Sequence, residues 1–541
     1  MKIAIPQLNY HAGDLAKNSE LIQQAIGRAK KEKADLIVFP ELSLCGSFPH
    51  DLLEREHFIE ESRLVIEKIA STCTGIAAVI GAPNLDKEYG FLYDSAYFIK
   101  DGEVCDGVHK SILSDCDIYE DSRYFVDGSS DIGENNPIRY QGKIIRVLFD
   151  EYEAEFIEQE DDIVLFIQTS PFTVAATKER QTFLSSVAKE MRKDVIYVGR
   201  SGAETSFIFD GNSMVFNRNG RLVAKLREFS DDFQVVDVDA IDKLPIIENR
   251  ATDEIEQMHK ALVAGLKDYF YKNKFTKAVV GLSGGIDSAL VAALAVEAIG
   301  KENVLGVLMP SEFSTDHSVK DAQELATNLG IEHHIIPIKS VYSQYIDTLH
   351  PLFHSQPFNV AEENLQARIR GTLLFAISNK FGHIVLNTSN KSEAAVGYGT
   401  LYGDLCGSLC VIGDMLKTKV YLLAHYINKV YKTNANNANK ELIPTHILTK
   451  APSAELHPGQ KDQDALPEYA ILDKIVEGYV ENNLSEHEIV AQNVDTDGKL
   501  NKEVVAHVVR LIEKSEYKRA QCPPALKLTK KTFGCGRRMG F

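Results

Sequence analysis

GLSGGIDS occupies residues 281–288, and this stretch decides the fold of the C-terminal half of the chain. It follows the strand-like run 278–280 and precedes the helix-like apolar run 289–294. A glycine loop between a strand and a helix turns backbone N–H groups toward an anion, and the helix start adds the positive end of its dipole. Ser283 and Ser288 can donate hydrogen bonds, and Asp287 can hold a magnesium ion on phosphates. The stretch therefore predicts a phosphate-binding loop rather than a plain glycine turn.

The loop differs from the Walker A pattern, which requires a lysine before its final serine or threonine. It resembles instead the SGGxDS pyrophosphate loop of the ATP pyrophosphatases, enzymes that activate a carbonyl or carboxylate by adenylylation. The resemblance implies that ATP is a substrate. It also implies that the β- and γ-phosphates are held by the loop residues Gly281, Leu282, Ser283, Gly284, Gly285, Ile286, Asp287 and Ser288.

Bulk properties limit the class of protein. A chain of 541 residues is too long for one ordinary core, so we expect at least two domains. No run of about 18 apolar residues occurs, and the N-terminus lacks a basic-then-apolar signal pattern, so we expect a cytoplasmic protein that does not span a membrane. A formal net charge of −18 argues against general nucleic-acid binding. The eight cysteines lack paired metal-ligand spacing, which favours reduced thiols over disulfides or zinc.

The two halves of the chain differ in pattern. Short apolar runs typical of buried strands alternate with helical periodicity over roughly the first 245 residues, which predicts an α/β sheet. A new amphipathic helix begins near residue 255, and the strand, glycine loop and helix that follow are how a doubly wound parallel sheet opens. We therefore predict an N-terminal domain over residues 1–245, a linker over 246–254 and a C-terminal domain over 255–541.

Five further strings follow the phosphate loop in the C-terminal half. They are MPSEFSTDHSVKDA (309–322), ENLQARIRG (363–371), TSNKSEAAVGYGTLYGD (388–404), PSAELHPGQKDQDALPEY (452–469) and EYKRAQCPP (516–524). Together with the loop they closely resemble the synthetase domain of NAD synthetases, over nearly all of residues 255–541. The family amidates nicotinic acid adenine dinucleotide (deamido-NAD) to NAD with ATP. The resemblance implies the adenine-nucleotide α-hydrolase (ATP pyrophosphatase) fold and a homodimer or higher homo-oligomer.

The resemblance also implies roles for single residues. A carboxylate is a poor electrophile at neutral pH, so deamido-NAD would first be adenylylated by ATP with release of pyrophosphate; ammonia would then displace AMP. The implied roles are magnesium binding by Asp287 and Glu393, contact of Thr388 with adenosine, deamido-NAD binding by Asn364, Glu393 and Lys518, stabilisation of the reacting phosphate by Lys391, and handling of the ammonia proton by Asp404.

Each of these residues, taken singly, has a structural alternative. Lys391 and Glu393 could cap a helix, Asp404 could be a turn residue, and Lys518 could belong to a solvated basic tail, since residues 514–541 contain eight Lys or Arg and one acid. The functional interpretation rests on the strings occurring as one ordered set. Two departures, Glu312 and His457 where relatives usually carry arginine, put substrate affinity in doubt more than the reaction type.

The N-terminal half resembles the nitrilase-like amidase domain of glutamine-dependent NAD synthetases, an αββα sandwich. FPELSLCGSFPHDLL (39–53) and HKSILSDCDIYEDSRYF (109–125) carry the resemblance. It implies Glu41 as general base and Lys110 as the lysine that stabilises the tetrahedral intermediate. The nucleophilic cysteine should end a strand, but the corresponding stretch reads IIRVLFDEYEAEF (144–156), with Phe149 or Asp150 at that position.

This missing cysteine predicts a domain that does not hydrolyse glutamine. A thiolate is needed to attack the amide, and no cysteine occurs between Cys116 and Cys406. We therefore expect an NAD synthetase that uses free or delivered ammonia, with Glu41, Lys110 and Phe149 as vestiges of the glutaminase. The rival interpretations are a glutamine-dependent enzyme with an unrecognised nucleophile such as Cys45 or Cys116, another adenylating amidotransferase, and a non-enzymatic assembly protein built on the nitrilase scaffold.

Overall fold

A computed structural model describes residues 1–128, 136–248, 253–353, 356–433, 437, 440–493, 498, 500–535 and 537. The chain divides into two compact units, Met1–Thr252 and Asp253–Phe541. Of the predicted linker over 246–254, residues 249–252 lie outside the described residues. Among the described residues, no helix combines the length and the apolar composition that crossing a bilayer requires.

The first unit is built mainly of β-strands, in two six-stranded sheets and a two-stranded hairpin. The strands are β1 (Lys2–Gln7), β2 (Leu36–Val38), β3 (Ala77–Leu85), β4 (Leu92–Lys100), β5 (Glu103–His109), β6 (Ile138–Tyr140), β7 (Lys143–Leu148), β8 (Ile163–Phe166), β9 (Asp194–Tyr197), β10 (Ser201–Glu204), β11 (Phe207–Asp210), β12 (Met214–Phe216), β13 (Leu222–Lys225) and β14 (Asp232–Asp237). The helices are α1 (Leu15–Lys31), α2 (Glu56–Ala70), α3 (Asp121–Tyr124) and α4 (Ala176–Met191).

Successive side chains of a strand point to opposite faces of its sheet, and this alternation produces four layers. The sheets have the strand orders β14-β1-β2-β3-β4-β5 and β13-β12-β9-β8-β7-β6. Ile3 and Ile5 of β1 pack with Ile145 and Val147 of β7 in one apolar core, which places that core between the sheets. The opposite faces are covered by α1 and α2 on the first sheet and by α4 on the second. The predicted αββα sandwich is confirmed.

The second unit surrounds a five-stranded parallel sheet. Its strands are β15 (Lys277–Gly281), β16 (Val304–Leu308), β17 (Glu332–Ile335), β18 (His383–Asn387) and β19 (Leu409–Cys410). Its helices are α5 (Glu254–Lys272), α6 (Ile286–Ile299), α7 (Asp316–Leu329), α8 (Lys339–Phe353), α9 (Val360–Phe381), α10 (Lys391–Val396), α11 (Lys417–Lys432), α12 (Thr445–Thr449), α13 (Tyr469–Val476), α14 (Glu486–Gln492), α15 (Lys502–Lys514) and α16 (Glu516–Arg519).

The strand order of this sheet is β17-β16-β15-β18-β19. The chain therefore winds outward from β15 in both directions, and the predicted doubly wound parallel sheet is confirmed. The order reverses between β15 and β18, so the loops after these strands diverge and leave a crevice at their carboxyl ends. The phosphate-loop residues follow β15 directly and the string that begins at Thr388 follows β18, so both border this crevice.

Candidate active site

A cavity of about 310 Å³ opens at the carboxyl ends of β15, β16 and β18. The phosphate loop forms one wall, and the segment 450–456 forms part of another. The latter segment is held by Glu455, whose carboxylate accepts hydrogen bonds from Thr315 Oγ1 at 2.9 Å and Ser318 Oγ at 2.7 Å. The parallel sheet thus collects residues from widely separated strings into one concave site.

The phosphate loop has the geometry of an anion cradle. Gly284 has φ +76°, and a Cβ there would lie 2.3 Å from the Ser318 carbonyl oxygen, so the position requires glycine. Ser283 Oγ accepts from the Gly285 N–H and lies 3.1 Å from Ser288 Oγ, which fixes the turn. Helix α6 starts at Ile286, and its N-cap residue has no side chain to satisfy the first-turn N–H groups. Those groups are available to phosphate oxygens.

Asp287 and Glu393 lie on opposite sides of one lysine that the sequence interpretation missed. The ammonium of Lys417, at the start of α11, lies 2.5 Å from Asp287 Oδ2 and 2.9 Å from Glu393 Oε1. Burial raises the pKa of Asp287 to about 6; Lys417 opposes the shift and the like charge of Glu393 adds to it. Burial alone would lower the pKa of Lys417, but the two carboxylates outweigh it and raise that pKa above its ordinary value.

The same two carboxylates are the natural ligands for a divalent cation. Oxygen donors are what Mg²⁺ prefers, and Asp287 and Glu393 carry one more negative charge than Lys417 balances. Within the described ranges, no group of three or more His, Cys, Asp or Glu side chains is placed to hold a metal. Asp287 and Glu393 would give a Mg²⁺ ion two carboxylate ligands, and substrate phosphates and water would have to complete its coordination.

Further acids line the cavity beyond Glu393. The Tyr469 hydroxyl lies 3.0 Å from Glu393 Oε1 and 2.8 Å from Asp462 Oδ2. Asp404 lies across the cavity, and its Oδ1 accepts from the Thr400 N–H at 2.5 Å. Asp404 is accessible from the cavity. Desolvation by the surrounding protein raises the pKa of its carboxyl against the opposing backbone hydrogen bonds, so this carboxylate is more basic than a fully hydrated one.

The other predicted site residues of this unit differ in placement. Thr388 lines the cavity directly after β18. Asn364 and Lys518 are not among its lining residues in the described part of the chain. Asn364 Oδ1 accepts from Thr400 Oγ1 at 2.7 Å, and Lys518 Nζ donates to the carbonyls of Gly397 and Gly399 at 2.7 and 2.8 Å. Both therefore contact the segment 397–400 that precedes Asp404.

The side chain of Lys391 does not lie where its predicted role beside the reacting phosphate would require it. Its side chain is fully buried and does not line the cavity. Its ammonium lies 2.8 Å from Asp414 Oδ1 and 2.6 Å from Glu481 Oε1, and it donates to Thr529 Oγ1 at 2.7 Å. Asp414 also accepts from the N–H groups of Leu528 and Thr529, each at 2.7 Å. The lysine thus ties α10 to the C-terminal segment 526–532.

The two departures from the family pattern lie at partly open positions. Glu312 lies 3.9 Å from Lys339, and His457 lies 3.9 Å from Glu363. Neither residue lines the cavity in the described ranges. The basic tail contributes Lys518 and the Lys531 carbonyl that binds Lys391, whereas residues 536 and 538–541 lie outside the described residues.

The first unit retains the predicted pair of charged residues. Lys110 Nζ lies 2.8 Å from Glu41 Oε1 and 2.8 Å from Asp121 Oδ2. Glu41 Oε2 accepts from the Thr169 N–H at 2.9 Å, so its carboxylate is held from both sides. Glu41, Asp121 and Thr169 line a small pocket of about 50 Å³. The structure therefore brings the predicted base and lysine together at a pocket.

The predicted nucleophile position falls on Phe149 or Asp150, and neither residue carries a thiol. Phe149 is fully buried in the core between the sheets, and its N–H donates to Glu153 Oε2 at 2.7 Å. The side chain of Asp150 leaves that core: its Oδ2 accepts from Ser114 Oγ at 3.2 Å and Gln168 Nε2 at 3.3 Å. Of the two residues that the sequence interpretation left open, Asp150 occupies the more accessible position.

The two alternative thiols, Cys45 and Cys116, differ in burial. Cys45 is fully buried and its Sγ lies 3.7 Å from the Leu42 carbonyl oxygen; burial raises the pKa of this thiol above its ordinary value. Cys116 is exposed. Neither lines the pocket in the described ranges. A protonated, buried thiol is a poor nucleophile.

Comparison with known proteins identifies both halves of the chain. Residues 2–242 match the carbon-nitrogen hydrolase family and residues 258–522 match the NAD synthase family. A glutamine-dependent NAD(+) synthetase from Synechocystis sp. is 39% identical, over 99% of this chain and 98% of the relative. One from Thermotoga maritima is 36% identical, over 100% and 98%. The solved structure of a glutamine-dependent NAD+ synthetase from Acinetobacter baumannii, in complex with ADP, is 35% identical with a TM-score of 0.78, over 99% of this chain and 97% of that one.

Proposed function

Since the chain belongs to the family of two-domain NAD synthetases, in which a carbon-nitrogen hydrolase domain precedes an NAD synthase domain, we propose that it differs from its glutamine-dependent relatives by using ammonia. Its activity is that of an ATP-dependent NAD synthetase, a carbon-nitrogen ligase.

The reaction we propose has two steps. The nicotinate carboxylate of deamido-NAD attacks the α-phosphorus of ATP, which gives an acyl adenylate and pyrophosphate; ammonia then attacks the acyl carbon and AMP leaves. The phosphate loop would hold the β- and γ-phosphates with its glycine N–H groups and the start of α6, and Thr388 would contact adenosine. Asn364 and Lys518 would support the segment 397–400 next to deamido-NAD.

Lys417 would stabilise the reacting phosphate, the role that the sequence implies for Lys391. Its ammonium is already in the cavity between Asp287 and Glu393, where it can steady negative charge on a reacting phosphate without reorganisation. Mg²⁺ held by Asp287 and Glu393 would neutralise charge on the departing pyrophosphate. Lys391 would act as a buried anchor for the segment 526–532.

Asp404 would receive or position the ammonia proton. Only neutral ammonia has the lone pair that attacks a carbonyl carbon, so an ammonium ion must lose a proton in the site. Desolvation by the surrounding protein raises the pKa of the Asp404 carboxyl, which makes it a better proton acceptor than a fully hydrated aspartate. Its position on the cavity wall next to the Thr400 N–H supports this role.

The observation that carries the ammonia proposal is the absence of a usable thiol at the pocket of Glu41 and Lys110. Within the described ranges, no cysteine lines that pocket. By the resemblance, Phe149 or Asp150 would stand at the nucleophile position. We propose Asp150 as the residue that replaces the cysteine, since Phe149 packs into the core. A carboxylate is a weak nucleophile toward an unactivated amide.

The alternative is glutamine-dependent synthesis with an unrecognised nucleophile, favoured by the names of the relatives, which are glutamine-dependent enzymes. The deciding experiment supplies ATP, magnesium and deamido-NAD with either ammonium chloride or ammonia-free glutamine. We expect NAD with ammonium and neither NAD nor glutamate with glutamine. Comparable turnover on glutamine would overturn the proposal, and Cys45→Ser and Cys116→Ser variants would then locate the nucleophile.

We also propose that the chain forms at least a homodimer through the second unit. Helices α8 and α9 carry large apolar side chains that are exposed in the single chain: Val341, Tyr345, Leu352, Val360 and Phe381. Exposed apolar patches of this kind mark contact surfaces between proteins. Sedimentation of the intact chain tests the oligomeric state.

The domain ranges 1–245 and 255–541, and a cytoplasmic location, remain predictions.

A further inference from the structure

Helix α11 begins beside the cavity of the second unit, and its first residue is Lys417. The residue before it, Leu416, is the N-cap, and its apolar side chain accepts no hydrogen bond. The first N–H groups of a helix have no carbonyl partner within the helix, so they need acceptors from elsewhere. Side chains of two other helices supply these acceptors, and they thereby determine where the backbone of Lys417 lies.

The two acceptors are Ser392 of α10 and Asp473 of α13. Ser392 Oγ accepts from the Lys417 N–H at 2.8 Å and donates to Asp473 Oδ1. Asp473 Oδ2 accepts from the Thr418 N–H at 2.8 Å. One carboxylate therefore caps α11 twice, directly and through the Ser392 hydroxyl. Its negative charge is also favourable at the start of a helix, where the dipole is positive.

The same contacts hold α10 against α11. Ser392 directly precedes Glu393, whose Oε1 lies 2.9 Å from Lys417 Nζ, so the distance between these two charged groups depends on how the two helix starts are held. Ser392 is fully buried and Asp473 is 4% exposed. Within the described ranges, neither side chain lines the cavity. Both can therefore affect bound substrates only through the residues that they hold.

Helix α13 contacts the same pair of charges at a second point. Tyr469, four residues before Asp473 and so on the same face of the helix, places its hydroxyl 3.0 Å from Glu393 Oε1. The centroid of its ring lies 5.2 Å from Lys417 Nζ. Apolar side chains of α13 share one buried core with side chains of α10 and α15. Because such cores are closely packed, α13 is a firm support for both charges.

We propose that Asp473 is a positioning residue for the adenylylation step, and that it holds the Lys417 ammonium at the reacting phosphate through Ser392 and the start of α11. This inference rests on the role proposed above for Lys417. A cation stabilises a transition state fully only while it is held in place, because a displacement of about 1 Å can cost a large part of the rate. Loss of Asp473 should therefore lower kcat rather than weaken the binding of deamido-NAD.

The test is a double-mutant cycle of Asp473→Ala and Lys417→Met in the full chain, with NAD formation measured at saturating ATP, magnesium and ammonium. We expect Asp473→Ala alone to lower kcat at least about tenfold, equivalent to about 1.4 kcal/mol, and to change the KM for deamido-NAD less than about threefold. In the Lys417→Met chain, the same substitution should change kcat less than about twofold, because the lysine through which Asp473 acts is gone.

The cycle separates failure of this inference from failure of the role of Lys417. An equal loss from Asp473→Ala in both backgrounds would overturn the positioning role, and so would loss of activity in Lys417→Met without any loss in Asp473→Ala. Full activity of Lys417→Met would refute the role of Lys417 itself, and the positioning role would fall with it.

Two further variants are the controls. Asp473→Asn keeps one of the two acceptor oxygens, so its kcat should lie between those of the unchanged protein and Asp473→Ala. Asp253 caps α5 by accepting from the N–H groups of Ile255 and Glu256 at 2.9 and 3.2 Å, and it does not line the cavity in the described ranges. Asp253→Ala should lower Tm and leave kcat unchanged. A loss of kcat in Asp253→Ala equal to that in Asp473→Ala would overturn the proposal, because the loss of any helix cap would then suffice.

Amide exchange of the unchanged protein tests the contacts without a substitution, and it decides if the Asp473 variants do not fold. The N–H groups of Lys417 and Thr418 should exchange at least about 100-fold more slowly than those of an unstructured peptide, because both have acceptors. Exchange at the rate of an unstructured peptide would overturn the proposal.

Discussion

Replacement of Lys391 by methionine tests whether this lysine is an anchor or a phosphate-binding residue. The side chains of Lys391 and Asp414 are both fully buried, 2.8 Å apart, and the ammonium also serves Glu481. Methionine fills similar space without the charge, so Asp414 and Glu481 lose their counter-ion. Removing one partner of a buried pair costs about 3–5 kcal/mol.

This loss should appear locally, in the segment 526–532. The N–H groups of Leu528 and Thr529 both donate to Asp414 Oδ2, and Thr529 Oγ1 accepts from Lys391. A decrease of about 3–5 kcal/mol in the free energy of local opening corresponds to amide exchange about 10²- to 4 × 10³-fold faster. The increase cannot exceed the protection that the segment has in the unchanged protein. Hydrogen–deuterium exchange with mass spectrometry of peptides that cover this segment measures it.

The matched control is Lys419→Met. Lys419 lies 2.8 Å from Glu254, but both side chains are substantially exposed, at 30% and 43%. An exposed pair contributes about 1 kcal/mol or less, so exchange should change less than about fivefold anywhere in the second unit. Unchanged exchange over 526–532 in Lys391→Met, together with loss of NAD formation, would refute the anchoring role. It would favour instead the predicted role of Lys391 at the reacting phosphate.

Three further predictions concern Lys417, Asp287 and Phe149. Lys417→Met should lower kcat/KM for ammonium-driven NAD formation by about 10²- to 10³-fold, because it removes a preorganised cation from the reacting centre; a loss below tenfold in steady-state assays would contradict this. Asp287 has a pKa of about 6 in the folded chain against an ordinary 3.8, so its folded-state carboxyl gains a proton as the pH falls through about 6. The magnesium concentration for half-maximal rate should therefore rise below pH 6 and stay level well above it, and stability should decline as the pH rises from about 4 through 6, because ionisation opposes the folded state. Phe149→Cys should lower Tm, since truncating a buried phenylalanine costs about 3 kcal/mol, and should leave glutamine unhydrolysed because the thiol would lie in the core between the sheets; glutamate release would show otherwise.

The fold could be predicted from the sequence wherever the signal is local. The apolar run before the glycine loop became β15 and the run after it became α6, because hydrophobic periodicity reports burial over a few residues. The doubly wound parallel arrangement was expected from the strand–loop–helix pattern, whereas the strand order came only from the structure. Placement of the loop at the carboxyl end of β15 then located the cavity, since that end of a doubly wound sheet is where its loops diverge.

Side-chain direction could not be predicted in the same way. Lys391 and Glu393 are two positions apart in one string, yet Glu393 lines the cavity and Lys391 points to a C-terminal segment about 138 positions away. Lys417 lies 130 positions from Asp287 and belongs to none of the strings that carried the resemblance. A signal was present: Lys417 occupies the buried face of α11 with Val420 and Ala424, and a lysine there requires a buried counter-charge.

The packing of β7 also determines how easily the first unit could regain a nucleophile by mutation. A single base change converts a phenylalanine codon into a cysteine codon, but at Phe149 the new thiol would enter the apolar core between the sheets. Asp150, whose side chain is bound by Ser114 and Gln168 outside that core, is more than one base change from cysteine. The single-base mutation Phe149→Cys therefore places the thiol in the core. The substitution Asp150→Cys, which would place it outside the core, arises rarely because it needs more than one base change. Under the ammonia proposal, a population that carries this gene and depends on it for NAD would remain tied to its supply of ammonia over long periods.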